Sequence, residues 1–360
     1  MFKKMLLFYF LIGNNGYIAK SQNIERKAIL TAMTERLLKE ENSKIHSILI
    51  TNNDTLDYAR YFDGFTKDSL HDSRSSFKSV TSLLVAIALD QGMIKNTKQR
   101  ISDFFPEYVP FKNDSKWKRN ITIQHLLDMR SGFDCEEFND TKDCETNMSE
   151  TDNWVKFSLD LPMKNKPGTI FSYTSSNPMI LSGIISKVAH MSVMDFAAKY
   201  LFNPLGINHY KWTVDPSGNG MTGGSFYILP EDMLKIGQLV RDGGKWKGVQ
   251  VITKKSIERA TNAHQLIPDF SFAKVSKSPK LIPQNTFYGG FWYQERIKTE
   301  TIDEELLFAS GNGGQYIFIV ERLNLVVVFT QGNYGSWKAK KAFDLLGSYI
   351  LPAYCLPSKH

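Results

Sequence analysis

A serine followed three residues later by a lysine can form a nucleophile when the pair heads a buried helix. The lysine then lies one turn along on the same helix face. Burial disfavours its ammonium form, which leaves an amine able to take the serine proton. The free amides and dipole at the helix start favour negative charge developing on an attacked carbonyl oxygen. The chain contains this spacing three times, at Ser75–Lys78, Ser115–Lys118 and Ser271–Lys274. Ser115 sits in the charged run 113–119 and Ser271 lies three residues beyond Pro268 in a polar segment, so neither heads an apolar helix. Ser75 directly precedes a run with Val80, Leu83, Leu84 and Ile87 spaced three and four apart. Alone, this pair also reads as an N-cap serine with a solvated lysine. Two later segments bear on the choice: Tyr173-x-Ser175, after the Pro167-Gly168 turn and before an apolar helix, and Ala309-Ser310-Gly311-Asn312-Gly313-Gly314, which enters a strand.

Other chemistries have little support. The histidines, at 46, 71, 125, 190, 209, 264 and 360, show no ligand spacing, so no metal is expected. Gly243-Gly244-Lys245 lacks the earlier glycine of a phosphate loop, and Gly311-Asn312-Gly313 is not followed by the third glycine of a dinucleotide fingerprint. No cofactor is therefore expected. A glycine-x-serine-x-glycine elbow is also missing from the sequence.

The elements that must position these residues follow from periodicity. Residues 23–41 form a charged amphipathic helix leading to a strand at 47–51, and Asn52-Asn53-Asp54 turns the chain into a hairpin. Residues 77–88 form a buried helix ending at Gln91-Gly92. From 97 to about 208 strand signals are scarce, and helices are expected at 123–129, 154–159 and 179–189. Residues 315–320 and 325–330 are rich in β-branched and aromatic side chains and predict a hairpin. Residues 336–351 return to helical spacing. The pattern implies an α/β protein of α+β type, with an antiparallel sheet completed by both ends of the chain and flanked by helices. The α/β part takes residues 22–92 and 209–360, with a mainly helical insertion at 93–208.

Composition fits one large globular unit: 360 residues, 42% apolar and 22% charged. Lys3-Lys4, the apolar stretch 5–12 and Ala19-Lys20-Ser21 read as a signal peptide cut after Ser21, against the alternative of a buried N-terminal strand. The apolar stretch is shorter than the roughly 20 residues that span a bilayer. Cleavage would leave no stable membrane insertion and would place the protein in a periplasm or outside the cell. Without the leader's three lysines the net charge falls from +7 to +4, and the remaining Lys and Arg are interspersed with carboxylates, which argues against nucleic-acid binding. Export permits disulfides. Cys135 and Cys144 can close a short loop with Cys355 left over, although Cys135–Cys355 pairing or a reduced protein is also compatible with the sequence. Nothing in the sequence fixes the oligomeric state.

Taken in order, Ser75-x-x-Lys78, Tyr173-x-Ser175 and the glycine-rich third segment resemble the class C beta-lactamase-like superfamily of penicillin-recognising serine hydrolases. The resemblance runs from about Ser43 to Leu351 and includes the segments 123–132, 204–207 and 242–246. Asp152-Asn153-Trp154, Leu159-Asp160-Leu161-Pro162 and Ser310-Gly311-Asn312-Gly313-Gly314 resemble the branch of 6-aminohexanoate-dimer hydrolases and carboxylesterases. The resemblance implies a beta-lactamase/DD-peptidase-like fold and an acyl-enzyme on Ser75, with Lys78 and Tyr173 transferring protons. The implied oxyanion donors are the backbone N–H groups of Ser75 and Asn312. Ser175, which stands where many relatives have asparagine, would bond Lys78 or substrate, and Ser310, Gly311 and Gly313 would bind substrate.

One departure matters for specificity. Where beta-lactamases and D-alanyl-peptidases carry Lys or His at the start of the third motif, this chain has Ala309. Losing a charge-assisted bond of about 1.5–3 kcal/mol disfavours carboxylate-bearing substrates, unless a cation from elsewhere, such as Arg130, replaces it. The expected substrate is a small-molecule ester or amide. A beta-lactam or cell-wall peptide is the alternative, and a non-catalytic or slowly acylating peptidoglycan sensor is the alternative of another class. Phe226, Tyr227, Tyr288, Phe291, Trp292 and Tyr316 are candidates either for an acyl pocket or for core, and Thr222-Gly223-Gly224 for a turn beside the pocket.

Overall fold

The computed structural model describes residues 2–41, 43–137 and 143–356. Thirteen strands are present among them: β1 Ile45–Asn52, β2 Thr55–Tyr61, β3 His71–Asp72, β4 Tyr210–Trp212, β5 Phe226–Ile228, β6 Lys245–Trp246, β7 Val249–Gln250, β8 Gln265–Leu266, β9 Thr286–Gly289, β10 Trp292–Lys298, β11 Asp303–Gly311, β12 Gln315–Val320 and β13 Leu325–Gln331. The main sheet has eight antiparallel strands in the order β2-β1-β13-β12-β11-β10-β9-β8. Strands from the two ends of the chain pair next to the β2 edge, where Ile48 stands opposite Phe329 and Ile50 opposite Val327. The β1–β2 hairpin turns at Asn53 and Asp54, both at positive φ, as the Asn-Asn-Asp sequence predicts.

Every residue of β12 and β13 is buried, because helices cover both faces. On one face, Phe343 of the C-terminal helical segment packs edge-on against Phe308, Tyr316 and Phe318. The N-terminal helix Phe2–Lys39 adds Leu30, Met33 and Leu37 to the core. This helix runs through the apolar leader, so the strand alternative for that stretch is not adopted. The leader's side chains and His360 lie outside the described residues. On the other face lies the amphipathic helix Pro230–Arg241, begun by Pro230 with Glu231 and Asp232 in its first turn and Arg241 in its last. Gly237 lets it approach closely, since a Cβ there would stand 2.4 Å from Val326 Cγ1 and 2.8 Å from Ile317 Cγ2.

The helix Phe77–Asp90 carries the first motif and is buried at every position from Phe77 to Ala88. A helix buried on every side belongs in the centre of a molecule, and its polar residues must find partners there. The segment 93–208 contributes helices, including Ile123–Leu127, Trp154–Asp160 and Ser176–Ala189, and no strand of any sheet among the described residues. Cys135 and Cys144 are disulfide-bonded, with Cα atoms 5.9 Å apart, and Cys355 is free. Among the described residues no single helix is long and apolar enough to cross a membrane, although one bent pair, Ser176–Ala189 with Val193–Leu205, passes by length and composition.

The close seating of Pro230–Arg241 makes Gly237 sensitive to volume. Gly237→Val should lower stability by about 1–3 kcal/mol through overpacking, read as a lower urea midpoint. An unchanged midpoint would mean that the helix does not seat on Val326 and Ile317.

Candidate active site

The helix Phe77–Asp90 is tied to its surroundings by its own small polar residues. Ser79 Oγ donates to the Phe291 carbonyl at 2.6 Å, Thr81 Oγ1 to the Thr222 carbonyl at 2.9 Å, and Ser82 Oγ accepts from Trp292 Nε1 at 3.1 Å. Thr222 Oγ1 in turn donates to the Pro178 carbonyl at 2.7 Å, which joins this helix to Ser176–Ala189. These bonds fix the Gly223 carbonyl beside the helix start. Lys78, 1% exposed, donates to that carbonyl at 2.6 Å and to Ser75 Oγ at 2.9 Å. A lysine on a fully buried helix has nowhere in water to put its amine, and the serine is one of two oxygens that receive it.

Tyr173 completes the group. It is buried, its hydroxyl is hydrogen-bonded with Ser75, and Lys78 Nζ lies 5.0 Å from its ring centroid. Burial lowers the Lys78 pKa from its ordinary value, while the charges of Glu145 and Glu137 oppose that shift. Burial raises Tyr173 far above an ordinary phenol, and the bond with Ser75 partly offsets it. Lys78 is therefore the more available base of the two. Arg74, just before the serine, has φ of 49°, a left-handed conformation rare for a side-chain-bearing residue. Its N–H bonds Asp72 Oδ1 and its guanidinium pairs with the same carboxylate, which holds the bend.

Strand β11 closes the other side. A Cβ on Gly311 would fall 2.5 Å from the Ser73 carbonyl oxygen, so only glycine lets the strand end lie against the turn that carries Ser75. Ser310, Gly311 and Asn312 line a cavity of about 1340 Å³ together with Ser75, Tyr173, Gly223 and Gly224. Asn312 and Ser75 thus flank the same space from two sides. Gly313 does not reach it: this residue turns away, and a Cβ there would collide with the Tyr334 ring.

Several expectations need correction. Ser175 is fully buried and makes no bond to Lys78. Its Oγ lies 3.0 Å from Glu137 Oε2 and 2.6 Å from Glu145 Oε2, and these carboxyls, rather than Ser175, line the cavity. Of the six candidate aromatics none lines the cavity. Phe226 stacks on Phe77, Tyr288 meets Tyr293 edge-on, Phe291, Trp292 and Tyr316 are core, and Tyr227 stands near Lys211. The aromatic wall is instead Phe171, Phe270, Phe272 and Tyr293. The remaining Ser-x-x-Lys pairs are helix caps: Ser115 accepts from Lys118 N–H, and Ser271 accepts from Lys274 N–H and donates to the buried Glu295.

Three charged residues escaped sequence reasoning. Glu137 and Glu145 reach the cavity from the two ends of the Cys135–Cys144 loop, and nothing local in the sequence signals it. Lys340 enters from the C-terminal helical segment, half-buried and in no ion pair among the described residues, with its pKa lowered by burial. Arg130 also lines the cavity, with Nη2 donating to the Thr169 carbonyl. Among the described residues no group of three or more His, Cys, Asp or Glu is placed to hold a metal.

The disulfide holds the stretch bearing both glutamates. Cys135→Ser with Cys144→Ser should lower stability by about 2–3 kcal/mol on loop-closure grounds, measured by chemical denaturation under non-reducing conditions. A double variant as stable as the parent would contradict this.

The family description Beta-lactamase matches residues 32–349. The 6-aminohexanoate-dimer hydrolase of Paenarthrobacter ureafaciens is 22% identical over 246 residues, which cover 64% of this chain and 60% of that protein. The fold is shared with a family VIII carboxylesterase, at TM-score 0.67 and 15% identity over 91% of this chain and 97% of that one. It is shared as well with the octameric penicillin-binding protein homologue of Pyrococcus abyssi, at TM-score 0.64 and 20% identity over 89% and 77%. The chain belongs to the beta-lactamase family.

Proposed function

From that membership we propose that the protein is a serine hydrolase that cleaves a small ester or amide through an acyl-enzyme on Ser75. The observation that carries this reading is the 2.9 Å contact between Lys78 Nζ and the Ser75 Oγ that lines the cavity, with Tyr173 bonded to the same hydroxyl. The Ser75 Oγ–carbonyl carbon bond forms as the hydroxyl proton passes to the neutral Lys78 amine. The oxyanion is received by the backbone N–H groups of Ser75 and Asn312. Tyr173 relays the proton from Lys78 to the leaving oxygen or nitrogen as the scissile bond breaks. Water then attacks the acyl carbon as its proton passes to the same base, and the acyl carbon–Oγ bond breaks as that proton returns to Ser75 Oγ, releasing the acid.

The wall of Ile170, Phe171, Leu266, Ile267, Phe270 and Phe272 supports an apolar acyl or leaving group. Ala309, fully buried, offers no charge where related enzymes place a cation. These features favour uncharged acyl groups. Lys340 is the observation behind a second reading, cleavage of carboxylate-bearing amides such as beta-lactams, since a half-buried cation with no carboxylate partner among the described residues can receive one. The apolar leader and its Ser21 boundary support export, and an N-terminus at Gln22 in secreted protein would test it.

Ser75→Ala should abolish both fluorophosphonate labelling and p-nitrophenyl butyrate turnover, with intact mass and ester assays as the readouts. A folded wild type that neither labels nor turns over would replace this reading with the binding one. For the wild type, kcat/KM for p-nitrophenyl butyrate should exceed that for nitrocefin, and the reverse order would favour the second reading. Because burial lowers the Lys78 pKa, the amine is available below the pH at which an ordinary lysine deprotonates. The labelling rate should therefore rise with pH and level off before that value, whereas a rise continuing through it would show that the base is not a buried lysine.

A further inference from the structure

Ser175 has one hydroxyl hydrogen, and two carboxyl groups lie within reach of it. Its Oγ is 3.0 Å from Glu137 Oε2 and 2.6 Å from Glu145 Oε2. A hydroxyl donates one hydrogen bond, and an ionised carboxylate can only accept. Both contacts are hydrogen bonds only if one carboxyl carries a proton and gives it to Ser175 Oγ while the hydroxyl donates to the other. Two ionised groups held on one hydroxyl would also repel each other.

Glu137 is the better holder of that proton. Its Oε1 accepts from the Ser175 N–H and from Thr174 Oγ1, which leaves Oε2 as the oxygen that faces the hydroxyl. Burial and the Glu145 charge both raise its pKa, and only Lys78 and the bonds from Ser175 act against them. The groups that face the pair are Lys78 from the helix Phe77–Asp90, Tyr173 from the segment before Ser176–Ala189, Tyr288 from β9, and Asp72 from β3 with its partner Arg74. Arg130, Glu136 and Asp143 line the same cavity further along.

We propose that Glu137 and Glu145 share one proton through Ser175, present a single negative charge to Lys78, and so act as positioning residues that set the pH at which Lys78 becomes a base. The kinetic part of this proposal rests on the hydrolase reading above. During acylation the Ser75 proton passes to the Lys78 amine, and the ammonium that forms is balanced by that one carboxylate. The shared proton stays between the carboxyls, so the site gains one positive charge and already holds the negative charge to meet it.

The signature is non-additive. In Glu137→Gln, Glu145 is left as the one carboxylate that the Ser175 hydroxyl donates to. In Glu145→Gln the new amide N–H donates to Ser175 Oγ in place of the shared proton, so the hydroxyl donates to Glu137, which becomes the single carboxylate. Either single variant should therefore leave the midpoint of the labelling-rate rise within about 0.3 pH unit of the wild type, whatever its plateau rate, because Lys78 still faces one charge. The double variant removes that charge and should move the midpoint to lower pH by about 1 unit, the size expected for loss of one nearby opposite charge. Isotope-edited infrared spectra of 13C-glutamate-labelled protein at neutral pH supply an independent readout. A protonated carboxyl band should be present in the wild type and gone in each single variant. Two independently ionised glutamates would instead give no such band, with equal shifts in the singles that add in the double, and would overturn the proposal. Should folded wild type fail to label at any pH, the hydrolase reading falls, and the infrared band alone decides whether the proton is shared.

Discussion

Burying one lysine amine beside one serine hydroxyl constrains this chain more than any other contact. A charge or amine taken out of water costs several kcal/mol unless its surroundings answer it. The answer here is assembled from distant parts of the sequence: the Gly223 carbonyl, the Tyr173 ring and two glutamates held by a disulfide loop. None of these groups could be moved independently. Thr81 fixes the Thr222-Gly223 turn to the helix Phe77–Asp90, Thr222 fixes it to Ser176–Ala189, and Tyr173 enters just before that second helix. The same helix that buries Lys78 makes the site and the core a single packing problem.

The sheet supplies the opposing wall. Its order pairs β1 with β13 next to the β2 edge and places β11 in the middle, ending beside the turn that carries Ser75. Gly311 is needed there because of how close that end comes to Ser73, and Asn312 follows directly into the cavity. An antiparallel sheet covered on both faces is rigid, so a strand end can hold a backbone N–H in place more reliably than a free loop. The cavity above it combines an apolar wall with charged groups at its margins. That arrangement suits a ligand whose reacting carbonyl sits deep and whose substituents reach outward.

Legibility in the sequence followed the range of the interaction. The hairpins at Asn52-Asn53-Asp54 and at 321–324, the helix at 77–90 and the clustering of Ser75, Lys78 and Tyr173 were readable because turn chemistry, periodicity and a motif in order carry that information. The Cys135–Cys144 pairing was one of several compatible options, and spacing alone could not choose among them. The acidic pair was not readable, since nothing local to Glu137 or Glu145 says that their side chains converge on Ser175. Ser175 was assigned to Lys78 or to substrate because its motif neighbours point there, and the two carboxyls take its hydroxyl first. For the aromatic candidates the core reading holds at five of six, and the choice was open for a related reason: strand alternation says that a side chain is buried, but not whether it faces core or cavity. Trp292 and Tyr316 went to the core, while Phe171 and Phe270, in loops without periodicity, line the cavity.

The central claim is that the hydroxyl held by Lys78 and Tyr173 is the one that attacks. Rapid acid quench during p-nitrophenyl butyrate turnover, followed by peptide mapping, tests it most directly. The account predicts a butyryl adduct on the peptide containing Ser75, formed and lost at rates compatible with turnover. Turnover with no adduct, or with an adduct on another residue, would contradict it.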